Sequence, residues 1–244
     1  LYINEPRAMP HDFFERRVHM AGVRSGQYTA MCTSDPRVRQ WLTDSLAYVF
    51  NEVPGLGGVF TITASENMTN CASHGRHGDC PRCVKRRPSD IVAEVNRAVA
   101  EGVHRSAPEA KVIAWDWGWG WAWRGNNAEA RAAIAKLSRD VWLMSISEWS
   151  LPIERGGVKS EVGEYSMSAV GPGPRPTHHW ADARRRGLKT AAKVQLNNTW
   201  ELSAVPYLPV MDLVAQHCQR LAKAEVDGMM LSWSLGGYPS LNLE

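Results

Sequence analysis

Two acidic residues, Glu66 in Thr63-Ala64-Ser65-Glu66-Asn67 and Glu201 in Asn197-Asn198-Thr199-Trp200-Glu201, each stand where an apolar run breaks into a polar, aromatic segment. Carboxylates among tryptophans suit hydrolysis of a glycosidic bond. One acid protonates the leaving oxygen, and a second group, a carboxylate or the substrate's own acetamido group, stabilises the cationic sugar. Glu66 is expected to be the proton donor, because a carboxyl partly buried directly after an apolar strand holds its proton more firmly. Glu201 is the favoured second carboxylate, with Glu148 and Asp116 next in order.

The segment after Glu66 offers different chemistry. It holds Cys71-Ala72-Ser73-His74 and Cys80-Pro81-Arg82-Cys83. Two ligand pairs at this spacing can close a tetrahedral zinc site from Cys71, His74, Cys80 and Cys83, with His77 as a substitute ligand. A Cys80–Cys83 redox pair, a disulfide with Cys71, and unbridged thiols are the competing readings. A closed ligand set leaves no open coordination position, so such a zinc would be structural, a staple beside Glu66. Cys32 and Cys218 fall within strand and helix patterns and are expected to be buried single thiols. No organic cofactor is implied, since no Gly-rich phosphate loop follows any strand.

Groups this far apart in sequence meet only if the fold gathers them. Apolar periodicity and turn signals predict strands over 1–3, 28–33, 59–63, 111–117, 141–146, 188–195 and 228–233. Helices are predicted over about 11–21, 36–50, 88–104, 127–137, 176–186 and 208–224, with a further extended piece at 162–168. Strand–helix alternation argues for a parallel sheet. The expected fold is α/β, a (β/α)₈ TIM-type barrel lacking its first strand in this chain, with residues 1–244 forming one incomplete barrel domain and a Cys/His-rich loop at about 67–87.

In a parallel barrel the side chains past the carboxyl ends of the strands converge on one mouth. Those ends supply Asn4, Glu5 and Arg7; Glu66 and Asn67; Asp116, Trp117 and Trp119; Glu148; Asn198, Trp200 and Glu201; and Trp233 and Tyr238. Apart from the two catalytic candidates, these are expected to bind substrate. Trp115, Trp117, Trp119, Trp121 and Trp123 alternate without a break. Alternate strand positions share a face, but Gly118 and Gly120 interrupt the run, so Trp119 or Trp121 is expected to be accessible to the apolar face of a sugar ring.

Composition adds limits. A chain of 244 residues with 44% hydrophobic content is long enough for one large core. The net charge of +3 decides little, and the basic runs Lys85-Arg86-Arg87 and Arg184-Arg185-Arg186 read as solvated faces instead of a nucleic-acid patch. No apolar stretch approaches a membrane span and no secretory leader is recognisable. The start within a strand-like Leu1-Tyr2-Ile3 suggests a piece of a longer protein with other domains. The compartment is unreadable from these features.

Tyr2-Ile3-Asn4-Glu5-Pro6-Arg7, Phe60-Thr61-Ile62-Thr63-Ala64-Ser65-Glu66-Asn67 and Leu231-Ser232-Trp233-Ser234-Leu235-Gly236-Gly237-Tyr238 resemble the second, fourth and eighth strand ends of barrel glycoside hydrolases similar to family 20 β-N-acetylhexosaminidases. That resemblance implies a general acid at Glu66. The family's neighbouring Asp, which orients the acetamido nucleophile, is replaced here by Ser65. The chain is also similar to the clan of retaining hydrolases with acid/base and nucleophile after the fourth and seventh strands, which implies the pair Glu66 and Glu201. The expected function is therefore glycoside hydrolysis on an oligosaccharide or glycoside. The alternative is a non-catalytic carbohydrate-binding barrel module of a longer protein.

Overall fold

The computed structural model describes residues 1–196 and 208–232. The chain divides into two compact units, Leu1–Leu143 and Met144–Glu244.

The first unit contains β1 (Tyr2–Ile3), β2 (Met9–Pro10), β3 (Ala21–Ser25), β4 (Tyr28–Met31), α1 (Pro36–Glu52), β5 (Gly58–Ile62), α2 (Pro88–Ser106), β6 (Lys111–Trp115), α3 (Asn127–Ile134) and the beginning of β7 (Val141–Ile146). Parallel β1, β5 and β6 lie side by side, with Tyr2 opposite Phe60 and Phe60 opposite Ile113. The connecting helices start where the sequence signals place them. Pro36 opens α1 behind an Asp35 cap whose carboxylate accepts the Arg37 N–H at 2.9 Å. Val38, Leu42, Leu46 and Phe50 form the buried stripe of α1. The Thr43 hydroxyl donates to the Ala98 carbonyl of α2 at 2.9 Å. Thr61 of β5 bonds Asn96 of α2 at 2.7 Å, so the polar groups buried between strand and helix are satisfied.

The predicted strand at 28–33 does not join this parallel set. Its core, β4, is the centre of an antiparallel three-stranded sheet ordered β2-β4-β3. Only Gly26 and Gln27 separate β3 from β4. A link that short can join antiparallel neighbours, whereas parallel neighbours need a crossover of about a dozen residues or more. The predicted helix at 11–21 is likewise replaced by two short 3₁₀ turns, His11–Phe14 and Val18–Met20, running into β3. The apolar residues behind the helical pattern, Phe13, Phe14 and Met20, pack instead with Met31 and Val38. The position after β1 in the parallel set thus belongs to β5, and the strand count read from the sequence was too high by β4.

The second unit contains the end of β7, then β8 (Leu151–Arg155), β9 (Val158–Val162), α4 (Pro174–Arg185), β10 (Thr190–Val194), α5 (Met211–Lys223) and β11 (Gly228–Leu231). β10 and β11 pair in parallel from Ala191 opposite Gly228 to Val194 opposite Leu231. Just past β7, the Ser147 N–H donates to the Lys193 carbonyl at 3.0 Å. Trp180, Ala192, Val194, Val214 and Leu221 fill the core between strands and helices. The extended piece expected at 162–168 does not form a strand; the β8–β9 hairpin lies before it and ends at Val162. Gly156 and Gly157, at φ 56° and 79°, provide the two left-handed positions that its tight turn requires.

Within each unit, parallel strands that are neighbours in the sheet follow one another in sequence, with helices between them. This α/β arrangement is consistent with a partial TIM-like barrel, and the described strands show no reversal of order of the kind that marks a doubly wound sheet. No helix among the described residues is long and apolar enough to cross a membrane.

Candidate functional site

The carboxyl ends of β1 and β5 bring Asn4, Glu5, Arg7, Glu66 and Asn67 together. Past β5, the Thr63 carbonyl turns away from the sheet and accepts from the Thr69 hydroxyl and the Asn70 amide, both at 2.8 Å, which ends the strand. Ser65 is buried, and its hydroxyl accepts the Asn67 N–H at 3.2 Å in a tight local turn. Glu66 at the crest of that turn is exposed, against the expectation of partial burial. The turn lifts it off the apolar strand that would have covered it. Asn67 bridges the two strand ends, accepting from Arg7 Nη2 at 2.7 Å and donating to Glu66 Oε1 at 3.4 Å. Glu5 holds the opposite side by accepting the Arg7 N–H at 2.6 Å.

These residues open onto a cavity of about 580 Å³ lined by Arg7, Glu66, Asn67 and Met68, by Ser25 and Tyr28 of the β3–β4 hairpin, and by His74. Tyr2 lies close by. Burial raises its phenol above the ordinary value, the Asn4 hydrogen bond pulls it down, and the Glu66 charge raises it further. Asn4 is 4% exposed. Its amide N–H donates to the Tyr2 hydroxyl at 3.0 Å, while its Oδ1 is buried with no hydrogen-bond partner among the described residues. A row of rings continues from Tyr2 to Phe60 at 5.1 Å, Trp115 at 6.2 Å and Trp117 at 5.6 Å between successive centroids.

The tryptophan run divides by environment. Trp119 is buried, its indole N–H donating to the Thr63 hydroxyl at 2.9 Å, so it fixes the end of β5 and offers no surface to a ligand. Trp123 is buried with its N–H on the Ala72 carbonyl. Trp117 is half-buried against Trp115. Trp121 is 65% exposed, so the accessible ring expected of the pair is this one. Asp116 is fully buried. Asn198, Trp200, Glu201, Trp233 and Tyr238 lie outside the described residues.

In the second unit Glu148 follows β7 and is also buried, accepting from the Ser147 hydroxyl at 2.7 Å and the Ser166 N–H at 3.0 Å. Lys193 of β10, which composition and spacing did not single out, is buried near it. Its ammonium donates to Gln195 Oε1 at 2.6 Å and lies 5.1 Å from the centre of the Tyr165 ring. Burial raises the Glu148 carboxyl and brings Lys193 down to about 7, the Glu148 and Glu164 charges opposing the latter change. Both groups are thereby pushed toward their neutral forms.

The metal-ligand set differs from the one the spacing predicted. The sulfurs of Cys32, Cys71, Cys80 and Cys83 are all buried and lie within 4.8 Å of one another, a cluster that can bind a metal ion. His74 is not part of it; its Nε2 sits 2.9 Å from the Ser65 carbonyl and helps hold the Glu66 turn. Cys32, expected to be a lone thiol, takes the fourth place because the hairpin delivers the end of β4 to the loop. Its sulfur is held toward the thiolate by the Cys71 and Cys83 thiols and, after the opposing cost of burial, by Arg82, whose Nε donates to it at 3.3 Å. The only signal available in the sequence was a fourth cysteine at the end of a strand, with nothing local to give its direction.

No family model matches the chain, and no curated protein matches it. Among solved structures it is similar to an agarase, AgWH50C, at 15% identity and a TM-score of 0.46, over 94% of this chain and 36% of that one. It is also similar to an inactive variant of a GH20 exo-β-N-acetylglucosaminidase from Vibrio harveyi, at 10% identity and a TM-score of 0.45, over 95% of this chain and 34% of that one. The chain thus spans about a third of the length of these structures.

Proposed function

We propose that this chain carries the sugar-binding and acid-donating part of a glycoside hydrolase. The observation that supports this best is the hydrogen-bonded row Arg7–Asn67–Glu66 lining a cavity of about 580 Å³ at the carboxyl ends of two parallel strands. Carbohydrate recognition needs directional donors and acceptors for hydroxyls beside an apolar surface for ring C–H groups. Arg7 and Asn67 on the cavity wall are of the first kind and Tyr28 of the second. In this reading Glu66 donates the proton, Asn67 orients it, and Arg7 keeps Asn67 in place. Glu201 is the proposed second carboxylate, with Glu148 and Asp116 as successors; full burial of those two in the described structure counts against a direct role. The metal proposed for the four cysteines is zinc, which tetrahedral thiolate sites favour.

The test uses aryl glycosides of graded leaving-group ability. Glu66→Gln is expected to lower turnover about 100-fold or more on poor leaving groups and much less on those that need no protonation, while Glu201→Gln should suppress both. Near-full activity of Glu66→Gln on a poor leaving group would remove it as the acid. Oligosaccharide binding by the wild-type chain without turnover of any glycoside would assign the site to recognition alone, a reading that the exposure of Glu66 favours.

A further inference from the structure

The four sulfurs come from two separate pieces of the first unit. Cys71, Cys80 and Cys83 belong to the segment after β5, and Cys32 ends the β3–β4 hairpin. These two pieces also form two walls of the Glu66 cavity beside Arg7 and Ala8: the hairpin contributes Ser25 and Tyr28, and the segment after β5 contributes Glu66, Asn67, Met68 and His74. We infer that Cys32, Cys71, Cys80 and Cys83 bind a single metal ion as a tetrathiolate, and that this ion is the clamp holding the two walls of the cavity together.

The geometry suits an ion better than any other use of four cysteines. Cys32 Sγ lies 3.7 Å from both Cys80 Sγ and Cys83 Sγ. A tetrahedron with metal–sulfur bonds of about 2.3 Å has sulfur–sulfur edges of about 3.8 Å. Two disulfides would instead divide the cluster into two close pairs, and here all four cysteines are free and mutually near. The Cys83 N–H donates to the Cys80 carbonyl at 2.9 Å, a turn that presents both sulfurs of the Cys80–Cys83 pair to one point.

The surroundings are those of charged sulfur. Four thiolates around a divalent ion carry net negative charge, and a buried charge needs donors aimed at it. Arg82 Nε donates to Cys32 Sγ, and the same guanidinium bonds the Ala21 carbonyl at the start of β3. The Ser34 hydroxyl is 3.1 Å from Cys83 Sγ and accepts from Arg86 at 2.7 Å. A Cβ added at Gly22 of β3 would stand 2.6 Å from Cys71 Sγ, which shows how closely the hairpin backbone approaches the cluster.

Other ties join the walls as well: Val23 and Ala30 of the hairpin are buried in one apolar cluster with Met68 and Ala72. Arg76 reaches the Arg24 carbonyl at 2.7 Å from an exposed position. Without an ion, the centre of that cluster is four thiols with only weak sulfur donors and acceptors between them. The closed ligand set leaves no coordination position for substrate, so the ion shapes the cavity without touching the chemistry. This inference is independent of the hydrolase reading, since neither metal content nor the tie between the walls depends on sugar turnover.

The test is metal analysis of protein purified without added metal, combined with hydrogen exchange. About one equivalent of zinc is expected. Cys32→Ser should lower that content several-fold, and His74→Gln should leave it unchanged. Cobalt substitution should give the absorption of four sulfur ligands, and Cys32→Ser should alter it. Chelation of the wild-type protein should speed exchange in both 21–31 and 66–84, while 190–194 stays as before. Absence of metal with disulfides among these cysteines, metal retained in full by Cys32→Ser, loss of metal in His74→Gln, or chelation that leaves exchange in 21–31 unchanged would each overturn the inference. Should Cys32→Ser fail to fold, the chelation experiment on the wild-type protein decides alone.

Discussion

Glu129 closes the start of α2, the helix that follows directly on the cysteine-rich loop, and replacing it with Gln provides a quantitative test of how that loop is anchored. Its Oε1 accepts the Ser89 N–H at 2.9 Å and its Oε2 accepts Arg87 Nη2 at 2.7 Å. Burial by itself would raise the carboxyl; the bonds from Arg87 and Ser89 outweigh it and hold the group at about 2, against an ordinary value of 4.5. At about 1.4 kcal/mol per tenfold change in proton affinity, that gap corresponds to roughly 3 kcal/mol of stability at neutral pH, an order-of-magnitude figure. The favourable placement of a negative charge at the N-terminus of α2 is included in it. Gln keeps an acceptor for Ser89, so Glu129→Gln is expected to cost about 2 kcal/mol in urea unfolding at pH 7. The pH dependence is the sharper test. A carboxyl depressed in the folded state contributes fully above its unfolded value near 4.5 and loses that contribution as pH falls toward 2. About 1.4 kcal/mol should be gone by about pH 3.5. The gap between wild type and variant should narrow by that amount between neutral pH and pH 3.5. A gap below about 0.5 kcal/mol at pH 7, or one that stays constant down to pH 3.5, would refute the reasoning.

Two further outcomes follow from the packing and the buried charges. A Cβ at Gly118 would lie 2.0 Å from the Ala64 carbonyl oxygen, so Gly118→Ala must push back the backbone beside Ser65 and Glu66; it is expected to cost about 1–3 kcal/mol and lower the melting temperature by several degrees. An unchanged melting temperature would show that the contact is loose. Lys193, at about 7 in the folded protein and 10.5 ordinarily, binds fewer protons folded than unfolded across that interval, so its contribution makes the protein more stable as pH rises from 7 toward 10. Lys193→Met should flatten the rise in urea midpoint between pH 7 and 9, and an identical rise in the variant would contradict the assignment.

Much of this was written in local sequence. The Asp35–Pro36 start of α1 and its apolar stripe, the branched and aromatic β5, and the break after Thr63 are set by interactions among near neighbours, and the structure forms them where the periodicity places them. The gathering of Asn4, Arg7, Glu66 and Asn67 was also legible, because parallel strands with helical crossovers necessarily put their carboxyl ends on one side. Other features required the folded chain. β4 reads as a strand, but whether it joins a parallel or an antiparallel sheet depends on its partner and on the length of the link before it. Trp117, Trp119 and Trp121 alternate in sequence and differ in exposure, because Gly118 lets the chain press against Ala64 and turn Trp119 inward onto Thr63. The fourth sulfur is the clearest case. Spacing favours ligands close in sequence and so pointed to His74, but coordination is fixed by distance in space, and the β3–β4 hairpin carries Cys32 to the three loop sulfurs while His74 is turned toward the Ser65 carbonyl.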